Sequence, residues 1–130
     1  MAKINLKIKL DSVDENIDLS TTGIKQKNKI IYKENNITVT ILILNNRIEM
    51  NRTCNEYKIN LIFEKNKKTT STYQVFGALK TFDLETYTNK LLIIDDKIVI
   101  NYNLEGNDFS FVLEVIHENN IETRDKKCFK

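Results

Sequence analysis

The chain has 130 residues, 41% of them hydrophobic, which suits one folded domain with a real core and leaves no room for two of ordinary size. Lysine and arginine exceed aspartate and glutamate by only two, so bulk charge gives no reason to expect nucleic acid or an anionic membrane as partner. The longest aliphatic runs, Ile41 to Leu44 and Leu91 to Ile94, are far below membrane-spanning length.

The first segment, "AKINLKIKLDS", alternates lysine with Ile4, Leu6, Ile8 and Leu10. Side chains on a strand point to opposite faces in turn, so this reads as a half-buried strand over 2–12. It has no apolar signal core, so a cytoplasmic protein is expected. Strands follow over 16–22, 29–34, 37–44, 47–53, 56–64, 69–75, 78–89, 97–105 and 108–117. The apolar sets Tyr57, Ile59, Leu61, Phe63 and Ile98, Ile100, Tyr102, Leu104 each keep one parity, as do Phe109, Phe111, Leu113 and Val115. Asn35-Asn36, Asn45-Asn46, Asp95-Asp96 and Gly106-Asn107 punctuate the segments with residues that tolerate the positive φ of tight hairpins. No stretch repeats at helical spacing.

Short strands joined by short turns make an antiparallel meander, because parallel crossovers need a dozen residues or more. An open sheet of ten such strands would expose long edges, and closure removes them. We therefore expect an all-β, single-domain, up-and-down barrel of about eight to ten strands over residues 1–118. Residues 119–130 lose periodicity and read as a polar tail.

The inward parity changes between Leu79 and Phe82, and Gly77 lies just before. A corner at Phe76-Gly77 with a bulge near Lys80-Thr81 would explain both. Thr86 and Thr88 share parity with Phe82 and Leu84, and could line a polar cavity. The simpler expectation is another register shift, or hydroxyls bonded to backbone.

The stretch "NRTCNEYKINLIFEKNKKTTSTYQVFGAL" resembles the YwiB-like family of small bacterial β-barrel proteins. That family shows an arginine, here Arg52, ahead of Phe63-Glu64, a Lys67-to-Thr70 turn, Tyr73 and the Phe76-Gly77 corner. Upstream, "LSTTGIKQKNKIIYKENNITVTI" resembles the family's Thr-Thr-Gly strand and hairpin. The departures are Thr53-Cys54, where the family has a glycine, and Val75, where it often has a proline. The resemblance implies a calycin-like barrel, related in architecture to lipocalins and fatty-acid-binding proteins, with no established activity. The chain has no tryptophan, a residue the lipocalin signature carries.

Candidate sites are sparse. His117, the sole histidine, is expected at a strand end with a backbone hydrogen bond. Arg52 is expected at a hairpin tip; buried, it would need a carboxylate partner or would offer an anion site. Cys54 and Cys128 read as free thiols of a reducing compartment. "NIT" at Asn36 and "NRT" at Asn51 are accidental glycosylation matches in such a compartment. The lysines of "KQKNK" and "EKNKK" read as solvated turns. No metal, cofactor or catalytic set is expected. The leading expectation is a non-enzymatic protein with a small hydrophobic or lipid-like ligand in the barrel, contacted at its mouth by Arg52, Tyr73, Tyr102 and His117. The alternative is an interaction or homodimerising module, suggested by apolar Ile41–Leu44, Val99 and Val112.

Overall fold

A computed structural model describes residues 2–117; the expected tail and Cys128 lie outside the described residues. Ten strands follow in order: β1 (Ala2–Ser12), β2 (Asn16–Gln26), β3 (Lys29–Glu34), β4 (Ile37–Leu44), β5 (Arg47–Thr53), β6 (Tyr57–Phe63), β7 (Lys68–Val75), β8 (Lys80–Ile94), β9 (Lys97–Leu104) and β10 (Asn107–Ile116). Each pairs antiparallel with the next, and β1 with β10 closes the barrel. This is the up-and-down closed barrel that the alternation implied, and it is consistent with a calycin-like architecture. The strands differ from expectation mainly at β2, which runs to Gln26, and β8, which absorbs Leu91 to Ile94.

The hairpins explain the parity pattern. A loop of two or four residues always reverses which parity faces inward, since directly paired residues point to the same face. Glu34 pairs with Ile37, and Val75 with Lys80. The switch before Phe82 therefore needs no bulge at Lys80-Thr81. The bulge lies instead between Thr88 and Lys90, where the β8–β9 register shifts. Positive φ falls on Asn35 and Asn46 (58° each) and Asp95 (48°), as the turn chemistry demands.

Phe76-Gly77 is a bend of the chain, as expected. Gly77 sits in the loop between β7 and β8, and nothing lies within 4 Å of a Cβ built there. The constrained glycine is Gly23, which faces Tyr32 across β2–β3. A Cβ there would stand 2.6 Å from the Ile31 carbonyl oxygen and 2.8 Å from Leu6. Only glycine lets these strands approach that closely.

Inside, Ile8, Val39, Ile41, Ile48, Phe63 and Ile100 are buried at 0–1% exposure and fill the middle of the barrel. Each contributes roughly 1.5–3 kcal/mol by leaving water. Ile41 belongs to this core, and Val99 and Val112 face each other, half-buried, across β9–β10. Both valines have the outward parity, opposite to Ile98, Ile100, Phe111 and Leu113, and Leu44 is the exposed member of the Ile41–Leu44 run, at 38%. Thr86 and Thr88 do point inward, fully buried. Thr86 Oγ1 shares a 2.8 Å hydrogen bond with Ser71 Oγ, which accepts from the Ile62 N–H at 3.0 Å. This side-chain bridge continues the β6–β7 seam where strand pairing stops at Asn60–Thr72.

Candidate functional site

The filled middle leaves space at the two ends. At the upper end, that of the β1–β2, β3–β4, β5–β6, β7–β8 and β9–β10 turns, a cavity of about 230 Å³ opens between Arg52, Tyr57, Tyr102, Phe109, Leu10 and Glu15, among others. Arg52 is on β5 and shares parity with Ile48 and Met50, so it points inward near the top of the strand. This corrects the expectation of a hairpin tip. Its Nη2 donates to Glu34 Oε2 at 2.9 Å, with the two side chains only 14% and 10% exposed.

Burial opposes the guanidinium charge, but the hydrogen bond and charge of Glu34 outweigh it and raise the Arg52 pKa. Arg52 therefore stays cationic and fixed in direction. A guanidinium carries five donors in a rigid fork, and among the described residues only Nη2 is used. Nε and Nη1 have no hydrogen-bond partner among the described residues.

Aromatic rings make the walls. Tyr102 stacks on Phe109 with centroids 5.2 Å apart and planes 9° from parallel, and tilts against Phe63 at 4.6 Å. Tyr57 meets Tyr73 edge-on at 5.8 Å, and Tyr73 stacks on Phe82 at 6.1 Å. Burial pushes the Tyr32 and Tyr102 hydroxyls well above the ordinary tyrosine range, so both stay protonated. The Tyr32 hydroxyl is buried with no hydrogen-bond partner among the described residues.

Of the residues singled out in the sequence, Arg52 and Tyr102 line this cavity directly. Tyr73 reaches it only through Tyr57. His117 does not join them: it follows β10 at the lower end, exposed, and its Nε2 bonds the Asp96 carboxylate, not the expected backbone group. Sequence reading missed Glu34, Tyr57, Phe109 and Glu15. Glu34 left a signal, since in "KIIYKE" it shares the inward parity of Ile30 and Tyr32. Among the described residues no group of three or more His, Cys, Asp and Glu side chains is placed to hold a metal ion. No helix of the described residues is long and apolar enough to cross a membrane.

The family model described as "Domain of unknown function (DUF1934)" matches residues 2–121. The chain belongs to that family. Among solved structures, this DUF1934 chain is similar to the crystal structure of ywiB protein from Bacillus subtilis. The identity is 17% over 88% of this chain and 91% of that one, with a TM-score of 0.58. At that identity the likeness speaks for the fold alone, and it bears out the resemblance to the YwiB-like family. No curated protein matches the chain.

Proposed function

We propose that the barrel is a non-enzymatic binding protein that holds a small molecule at its upper mouth. The observation that carries this reading is Arg52, clamped by Glu34 with two donor positions unused beside a cavity walled by stacked aromatic rings. Its volume, about 230 Å³, is below the ~300–1,000 Å³ of drug-sized pockets, so the ligand is small. A long acyl chain has no path inward past Phe63, Ile100 and Phe111.

The charge balance favours an uncharged acceptor. Glu34 already neutralises Arg52, and Glu15 stands at the rim, so a carboxylate would bring uncompensated negative charge into a half-closed space. A carbonyl on a flat ring would accept from Nε and Nη1 while its face packs on Tyr102 and Phe109. A reducing, cytoplasmic setting belongs to this reading; among the described residues Cys54 forms no disulfide.

Ligand- and protein-observed NMR with benzamide, benzoate and benzylamine tests it. Benzamide is expected to bind best and to perturb the Tyr102 and Phe109 signals, and Arg52→Lys, which keeps a charge for Glu34, to weaken it at least tenfold. Equal indifference to all three probes, or binding unchanged in the Arg52→Lys protein, would reject the proposal. A second reading, an interaction module, gains support from a different surface: the exposed Ile93, Ile94 and Leu44 at the lower end.

A further inference from the structure

The lower end carries an unfinished strand edge, built from other residues than the upper cavity and independent of any ligand there. β7 has eight residues and β8 fifteen. Their pairing ends at Lys68 opposite Tyr87. The β6–β7 turn extends it by one step: the Asn66 N–H donates to the Thr88 carbonyl at 2.7 Å, and the Thr88 N–H to the Lys67 carbonyl at 3.2 Å. Past the bulge at Asn89, residues 90–94 pair with β9 alone among the described residues. Among the described residues, one side of this arm is an open row of backbone.

Beside the arm lies a groove of about 450 Å³. Leu44, Leu91 and Ile93 give it an apolar floor, and Arg47, Lys65 and Lys67 line its rim. Arg47 is already engaged by Glu49 and Glu64, and Lys67 lies 3.8 Å from Glu64. Lys65 has no ion-pair partner among the described residues. Lys25, Lys27 and Lys29 add positive charge at the same end. Ile93 and Ile94 are 47% and 51% exposed.

We propose that this edge receives an extended segment of another protein, added as a strand along residues 89–94 where a longer β7 would lie, with apolar side chains alternating with acidic ones. An open row of strand donors and acceptors is a template that another extended backbone pairs with along its whole length. Alternate side chains of such a segment would point into the Leu44–Leu91–Ile93 floor. The lysines select its charge by complementarity. A second copy of this chain is disfavoured because it would bring the same lysines to the same groove.

The test uses the full chain, ¹⁵N-labelled, titrated with a pool of end-capped hexapeptides that alternate Asp or Glu with Val, Ile, Leu or Phe. Amide shifts are expected at residues 89–94 and at Lys65 to Lys67, with a monomer by light scattering. Binding should weaken at least tenfold in the doubly substituted Lys65→Glu, Lys67→Glu protein, and should vanish for peptides N-methylated at alternate positions. Absence of shifts at millimolar peptide, shifts confined to another surface, or indifference to N-methylation would each overturn the proposal. So would slow hydrogen exchange of every amide in 89–94 in the free chain, which would mean that the chain itself or a second copy already covers the edge.

Discussion

The two ends of this barrel are built from the same topology and are opposite in character. At the upper end the turns carry Asp11, Asp14, Glu15, Glu105 and Asp108, and Arg52 points inward, held against Glu34 beside a wall of aromatic rings. At the lower end the hairpins carry Lys25, Lys27, Lys29, Lys65, Lys67 and Lys68 beside Asp95 and Asp96, and its arginine is an outer-rim residue. A near-neutral net charge therefore conceals a polar molecule. An up-and-down meander delivers every second turn to the same end, so the charges of alternate hairpins accumulate there and do not cancel. The difference in closure has a separate cause, the mismatch between an eight-residue β7 and a fifteen-residue β8.

The sharpest way to break the comparison is to remove each arginine in turn. Arg52→Met leaves Glu34 buried and unpaired, and is expected to cost about 3–5 kcal/mol in urea unfolding. Adding Glu34→Leu to it should restore most of that loss, since the pair itself is worth little against an apolar replacement. Arg47→Met at the lower end removes two ion pairs in which Arg47 is 38% exposed, and should cost less than ~1 kcal/mol. Comparable losses at the two sites would erase the distinction between a sealed and an open end.

Next in size is the contrast between two glycines. Gly23→Ala forces a Cβ against the Ile31 carbonyl and is expected to cost about 2–3 kcal/mol. Gly77→Ala at the upper rim meets nothing within 4 Å, and its φ is not positive, so it should be neutral or stabilising by up to ~1 kcal/mol. Thermal unfolding of the two variants checks this.

Alkaline titration probes the sealed end more gently. Tyr32 and Tyr102 keep their protons in the fold because burial disfavours the phenolate, whereas in the unfolded chain they ionise near the ordinary value of 10.0. Above pH 10 the unfolded state thus binds fewer protons than the folded one, and stability falls as pH rises. The slope approaches about 1.4 kcal/mol per pH unit for each tyrosine, and the stabilisation is fully present below pH 10. Tyr32→Phe should make the slope shallower by about one tyrosine's share. The smallest effect belongs to the same substitution at pH 7, where losing a buried hydroxyl with no partner should change stability by under ~1 kcal/mol, towards greater stability.

Much of the fold was legible because alternation is a local signal. "KINLKIKL" and "KIVINYNL" each state their own inner face, and the Asn and Asp pairs state the turns. The bulge after Thr88 was not legible, because it is set by register with β9 and leaves no compositional mark. At the site, Arg52 and Tyr102 could be named in advance, but not that they share a cavity while His117 lies at the far end.

The sequence by itself determined the strands, their inward faces and the antiparallel order, since each follows from side-chain period and loop length within a few neighbouring residues. Only the tertiary structure decided that Glu34 reaches Arg52 from eighteen residues away, that Gly23 has no room for a Cβ, and that β8 outruns its neighbour. Those outcomes depend on which strands become neighbours when the cylinder closes, and on how far each extends along its axis. Neither quantity is carried by any short stretch of chain.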